Sequence, residues 1–380
     1  MTRVIHVITG LGTGGAELAL LRLVRHPHPA IEHMLVIALS PRGAQADRFR
    51  ACGIPVLELD FRGSPLRSFL RLVRTLRQLR PEVVQTWLYH ADLIGGLAAR
   101  WAGCKTVIWG IRTTHLVPSG ARATRVVRWI CARLSSTVPR VIMCAAEASR
   151  QVHVALGYDP SRMVVIPNGY DFSLLRADPG ARDRLRTAWG LAPDEVLVGI
   201  VGRFNTAKDH ETFVKAAGKV AEIDTSARFT LIGRDLDAAN RVLVSWIRST
   251  GHASQFILLG ERTDVPDCLS AMDGFCLSSR TEGFPNVVAE AMALGLPCVV
   301  TDVGDAAFLL GGHGWVVPKE NPGALAAALT ALVRTDAEDR RRLGSAAQAR
   351  VEGEFTVARM ADRLADLYLR LRPAPGDRPS

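Results

Sequence analysis

IPNGYDFSLLRADPGARDRLRTAWGLAPDEVLVGIVG, residues 166–202, is where one folding pattern stops and a second begins. Ahead of it, Val- and Ile-rich runs at 3–9, 33–39, 54–59, 83–87, 105–111, 140–144 and 163–166 alternate with segments of helical spacing such as AELALLRLVRH and ADLIGGLAARW. Short apolar strands alternating with amphipathic helices are the mark of a parallel sheet covered on both faces. The polar, arginine-rich stretch DFSLLRADPGARDRLRTAWG breaks that pattern. VLVGIVG then opens a second series, which runs on through FTLIG, QFILLG, GFCLSS and PCVVT. The expected fold is therefore α/β, with two doubly wound, Rossmann-like domains at 1–172 and 173–354. A helix at about 355–371, ended by PAPGDRPS, is expected to pack back on the first domain. Ligands of open parallel sheets sit beyond the carboxyl ends of the strands, so two such domains facing each other would form one cleft.

Composition agrees with two cores. At 380 residues the chain is longer than one hydrophobic core usually serves, and it is 48% hydrophobic and 22% charged, as soluble globular proteins are. No apolar run reaches the roughly 18 residues needed to span a bilayer. VIHVITGLGTGG near the N-terminus reads as a strand entering a glycine-rich loop rather than a secretory signal. A cytoplasmic location is expected. The 7 cysteines form no CxxC pair and read as reduced core residues. Charge is uneven, with 22 Lys and Arg against 10 Asp and Glu in residues 1–172, but 25 against 27 in the remainder.

Three segments carry candidate chemistry. TGLGTGGAE at 9–17 places Gly10, Gly12 and Gly15 as a GxGxxG fingerprint after a strand and before a helix. A nicotinamide dinucleotide also wants an acid at the end of the second strand, where the chain reads IALSPRG. NAD is disfavoured, while Arg42 leaves NADP open, and a plain tight turn is the alternative. In either case the helix start beside Gly14 and Gly15 can face an anion. In GRFNTAKDHETF at 202–213, Arg203 and Lys208 follow a strand end just ahead of a helix and suit a diphosphate, Arg through its planar fork and Lys as a movable charge.

The third segment, SSRTEGFPNVVAEAMALGLPCVVTD at 278–302, is the most specific. A loop with Gly283 and Pro285 leads into a helix at Asn286 whose first amides have no intrahelical partner. Glu282 precedes that helix and Glu290 lies on its second turn, where sugar or ribose hydroxyls are natural donors. Eight helical residues rise about 12 Å. That exceeds the roughly 5 to 9.5 Å between the carboxylates of glycoside hydrolases, which counts against hydrolysis.

Together GGAE, GRFNTAK and EGFPNVVAE resemble glycosyltransferase family 4, retaining enzymes of the GT-B fold, in order and spacing over nearly the whole chain. Bacterial polysaccharide and lipid-linked sugar transferases are the similar members. The resemblance implies that Glu290 binds the ribose of a nucleotide-sugar donor, Glu282 the hydroxyls of the transferred sugar, and Arg203 and Lys208 the diphosphate. Backbone around Gly14 and Gly15, and around Gly283, Phe284, Pro285, Asn286 and Val287, would complete the donor contacts, with Arg262 near the base. Relatives carry a catalytic-site histidine after the strand that here reads TVIWGIRTTH, so either Arg112 or His115 fills that place. Tyr89 and His90, in QTWLYHADLIGG, would lie on the acceptor side, or else serve as a packed aromatic and a helix cap.

The implied reaction moves a hexose-type sugar from a UDP-sugar, or a GDP-sugar, to a saccharide or lipid-linked acceptor in cell-surface polysaccharide or glycolipid synthesis. No DxD-like pair of strand-end acids favours a metal-bound diphosphate, so the expectation is a metal-independent enzyme without cofactors. An NADP-dependent oxidoreductase or epimerase, and a non-catalytic sugar-nucleotide-binding protein, are the rival readings. PLRSFLRLVRTLRQLRP at 65–81 and ATRVVRWICARL at 123–134 intersperse arginines with apolar residues. Such helices can lie on an anionic membrane, which would place the protein peripherally on the inner face of the cytoplasmic membrane. With only 6% aromatic residues and no recognised binding module, nucleic acid is not an expected partner.

Overall fold

The computed structural model describes residues 1–12, 14–113 and 122–371, apart from the side chain of Leu174. The chain divides into two compact units, residues 1–170 with 355–380, and residues 171–354.

In the first unit seven strands form one parallel sheet: β1 (Thr2–Ile8), β2 (Ile31–Ala38), β3 (Val56–Glu58), β4 (Val83–Trp87), β5 (Val107–Ile111), β6 (Val141–Cys144) and β7 (Met163–Val165). Their order across the sheet is β3-β2-β1-β4-β5-β6-β7. Helices cover both faces, which explains why β4, β5 and β6 are buried along their whole length. One face packs with the helices Gly15–Arg25 and Val357–Arg370, the latter contributing Met360, Leu364 and Tyr368 to the core. Thr356 caps that last helix by accepting from the Arg359 N–H. The other face packs with helices Pro65–Leu79, Tyr89–Trp101 and Arg122–Leu134.

The second unit repeats the scheme with β8 (Val196–Val201), β9 (Ala227–Ile232), β10 (Phe256–Gly260), β11 (Gly274–Leu277), β12 (Cys298–Thr301) and β13 (Gly314–Val317). These six parallel strands run β10-β9-β8-β11-β12-β13. Both sheets are doubly wound. Their strand order reverses between β1 and β4 in one and between β8 and β11 in the other, the place where such sheets open a crevice at their carboxyl ends.

Candidate functional site

The reversal between β8 and β11 brings together two segments far apart in the chain. From β8 the chain leaves through Gly202, Arg203 and Phe204. A side chain at Gly233 would begin 2.2 Å from the Gly202 carbonyl oxygen, so these two strand ends touch backbone to backbone. Arg203 is exposed and takes part in none of the ion pairs among the described residues. Asn205 Oδ1 accepts from the Lys208 N–H at 3.0 Å, which shapes the turn. Asp209 follows in a left-handed conformation, φ +50°, and helix His210–Ile223 begins. Asp209 is 3% exposed, and its carboxylate accepts from the Thr212 hydroxyl at 2.8 Å and the Arg280 Nη2 at 3.0 Å.

From β11 the chain leaves through Ser278 and Ser279. Ser278 Oγ donates to the Lys208 carbonyl at 2.9 Å, and the Arg280 N–H donates to the Ala207 carbonyl at 2.8 Å, stitching the two loops together. Lys208 Nζ then donates to Glu282 Oε1 at 2.8 Å, and Ser279 Oγ donates to the same oxygen at 2.6 Å. Both charged side chains are partly shielded, Lys208 22% and Glu282 15% exposed. A pair in this setting is ordered but still reachable by a polar ligand.

The loop's other side is held as well. The Asp305 N–H donates to the Gly283 carbonyl at 2.9 Å, and Thr301 Oγ1 donates to the Ser279 carbonyl at 2.7 Å. Gly304 has φ +57°, and a side chain there would begin 2.3 Å from the Gly283 oxygen. The loop ends in buried Pro285, which has no side-chain oxygen to cap helix Asn286–Ala293. No acid lies in that helix's first turn, so its positive end is not neutralised by its own sequence. Glu290 is half-buried, one turn beyond Asn286, between the buried Ala289 and Ala291. Phe284 and Val287 are half-buried as well. Arg262, past the end of edge strand β10, is engaged in a two-pronged contact with Asp264, Nε to Oδ1 at 2.8 Å and Nη2 to Oδ2 at 2.6 Å. That contact holds the Asp264 carboxyl below its usual range.

In the first unit, Gly14 and Gly15 are exposed at the start of helix Gly15–Arg25. Glu17 folds back over them, its Oε2 only 2.5 Å from where a Gly14 side chain would begin. The helix start thus already has a carboxylate beside it. Arg112, just past β5, stacks on Trp87 at 4.2 Å and donates through Nη1 to Asn168 Oδ1 at 2.6 Å. Burial lowers its pKa to about 10. Trp87 Nε1 donates to His6 Nδ1 at 3.3 Å, which leaves the proton on Nε2 to meet His33 Nδ1 at 2.9 Å. Burial keeps this histidine pair neutral, His33 with its pKa lowered to about 4. Tyr89 is buried, its hydroxyl 2.6 Å from His153 Nε2, whereas neighbouring His90 is half-buried. His115 lies outside the described residues.

Ser279, Asp209, Arg280 and Gly304 are the site residues that sequence reasoning missed. Ser279 could have been found from its place three residues before Glu282; the others become site residues only through contacts across the sheet. Among the described residues no group of three or more His, Cys, Asp or Glu side chains is arranged to hold a metal. The arrangement offers two cations, an uncapped helix start and two carboxylates, all from one unit.

The chain is similar to known proteins in sequence and in fold. A family model described as Glycosyltransferase Family 4 matches residues 13–174, and one described as Glycosyl transferases group 1 matches residues 195–335. The UDP-Gal:alpha-D-GlcNAc-diphosphoundecaprenol alpha-1,3-galactosyltransferase of Escherichia coli is 25% identical over 315 residues, 80% of this chain and 79% of that enzyme. The D-inositol 3-phosphate glycosyltransferase of Rhodococcus erythropolis is 30% identical over 60% of this chain and 53% of its own length. In fold, the crystal structure of Anabaena HepE in complex with UDP superposes with a TM-score of 0.79, at 21% identity, over 97% of this chain and 100% of that one.

Proposed function

Because the chain is a glycosyltransferase belonging to family 4, with two Rossmann-like units of the GT-B type, we propose that it moves a hexose-type sugar from a nucleotide-diphosphate donor to a saccharide or lipid-linked acceptor. A UDP-sugar is the first choice of donor, in keeping with the galactosyltransferase relative, and a GDP-sugar the second. The product belongs to cell-surface polysaccharide or glycolipid synthesis. The observation that carries this reading is the 2.8 Å contact of Lys208 with Glu282, beside the uncapped helix that bears Glu290.

Cleaving the bond between the anomeric carbon and phosphate leaves negative charge on the departing diphosphate and positive charge on the sugar. Arg203, Lys208 and the start of helix Asn286–Ala293 supply fixed positive potential for the first, the preorganised stabilisation that often dominates catalysis. With these groups in hand the leaving group needs no metal in this proposal. Glu282 accepts from hydroxyls of the transferred sugar and Glu290 from the ribose. Carboxylates suit both tasks because they only accept. The Lys208 ammonium has three donors, so it can hold Glu282 and still reach a phosphate oxygen. Retention of configuration is proposed with attack on the face of departure, a leaving phosphate oxygen taking the acceptor's proton.

An oxidoreductase would leave the second unit's site without a use, and the end of β2 has no acid for a ribose. Among the described residues no helix is long and apolar enough to cross a membrane. A place on the inner face of the cytoplasmic membrane is proposed from the basic excess of residues 1–172. A thermal-shift series with UDP-, GDP- and ADP-sugars tests the donor, and transfer assays of Lys208→Ala and Glu282→Ala test the site. Full turnover in either variant would overturn the assignment.

A further inference from the structure

Asp209 holds the left-handed backbone conformation, φ +50° and ψ +50°. That conformation strains a residue with a side chain and is free for glycine. Among the described residues Asp209 is the only buried non-glycine residue with a positive φ. Glycine would make the same turn without strain, so the reason for an aspartate lies in its side chain. Both carboxylate oxygens are in use. Oδ1 accepts from Arg280 Nη2 at 3.0 Å, and Oδ2 lies 3.0 Å from Arg280 Nε while accepting from the Thr212 hydroxyl at 2.8 Å. Arg280 thus meets the carboxylate with its planar fork, a match that the single ammonium of lysine cannot reproduce.

The two partners are 71 residues apart, and each adjoins a group of the candidate donor site. Asp209 directly follows Lys208, and Arg280 directly follows Ser279, two residues before Glu282. The Asp209 side chain is 1% exposed, so water competes little for its half of the pair. Arg280 is 43% exposed, and its Nη1 also lies 3.5 Å from Glu320 Oε1, a loose surface contact that adds little. The buried fork therefore sets the separation of the loop that carries Lys208 from the loop that carries Glu282. Without Arg280, a buried carboxylate next to Lys208 would lose its counter-charge.

We propose that Arg280 and Asp209 are positioning residues for the donor, acting through Lys208 and Glu282 rather than on the donor itself. The inference rests on the donor site proposed above and assigns its geometry to a pair outside it. Titration calorimetry of the full-length protein with UDP tests it without need of an acceptor. Arg280→Gln should weaken UDP about tenfold, the size of one lost hydrogen bond to a charged group. Arg280→Lys restores the charge but not the fork and should stay nearly as weak. Asp209→Gly keeps the left-handed turn, deletes the carboxylate, and should weaken UDP to a similar degree.

The deciding measurement is the same Arg280→Gln change made in Lys208→Ala. Because the pair acts through Lys208, it should there cost less than about twofold. Thermal melts of the Arg280 variants should match the wild type, since that side chain is largely in solvent. A full tenfold loss persisting in Lys208→Ala would mean that Arg280 touches the donor directly, and UDP affinity restored by Arg280→Lys would mean that charge alone matters; either overturns the proposal. Wild-type affinity in both Arg280→Gln and Asp209→Gly overturns it too, while leaving the donor site intact. A wild type that binds neither UDP nor GDP would instead overturn the donor site, and this inference with it.

Discussion

Lys208 and Glu282, 74 residues apart in sequence, meet at 2.8 Å because β8 and β11 are neighbours in the sheet. In the proposed reaction the pair works as a unit: the ammonium orients the carboxylate, and the carboxylate holds the ammonium where phosphate charge would develop. Lys208→Ala and Glu282→Ala should each lower kcat/KM by about 10² to 10³. In a double-mutant cycle the second substitution should cost far less than it does alone. Additive losses would show that the two residues act separately.

Ser279 shares the carboxylate oxygen that Lys208 uses. Ser279→Ala removes a hydrogen bond to a charged, partly buried acceptor, worth about 1.5 kcal/mol, which corresponds to about tenfold. The loss should appear as a raised donor KM with an unchanged melting temperature. A change confined to acceptor KM would mean that Glu282 does not face the donor.

Gly304 supports the Glu282 loop from behind, and alanine there would meet both a positive φ of 57° and the Gly283 oxygen. Gly304→Ala should cost about 1–3 kcal/mol of stability and weaken donor binding as well. Isothermal titration with UDP and thermal melts check the two effects. Unaltered UDP affinity would mean that the loop's backbone position is irrelevant to the donor.

Acid should destabilise the protein in a window set by buried histidines. Burial holds His33 and His210 at pKa values lowered to about 4, and His6 is lowered as well. The unfolded chain therefore binds protons that the folded one refuses, and stability is lost as pH falls from about 6.5 towards 4. Asp92 acts in the opposite direction. Its pKa is raised by burial to about 7, so between about pH 4 and 7 the folded state holds the extra proton and gains stability on acidification. Urea unfolding across pH 4–8 should show a net acid loss, steeper in Asp92→Asn and shallower in His33→Gln. A slope unmoved by Asp92→Asn would show that this carboxyl does not titrate in the window.

Much of the protein was readable locally. Runs such as VLVGIVG and PCVVT announce buried parallel strands because β-branched residues suit a pleated surface packed on both sides. The spacing of Glu282 and Glu290 was visible because both lie in one short segment, so loop and helix geometry alone relate them. Exposure on helix Pro65–Leu79 was less legible. Its apolar residues cover more than one stripe, and only packing shows that Leu72 and Leu76 turn inward while Leu66 and Leu70 meet solvent.

By itself, then, the amino-acid sequence determined two doubly wound α/β units and supplied the residue types of the proposed donor site, since strand, helix and turn preferences act over a few neighbours. Only the tertiary structure decided that Lys208 reaches Glu282, that Asp209 pairs with Arg280, that Gly304 backs the Glu282 loop, and that Tyr89 is spent on His153. Those contacts depend on which strands lie side by side. Strand order is set by burying the sheet's faces as a whole, and no local stretch of residues carries that information.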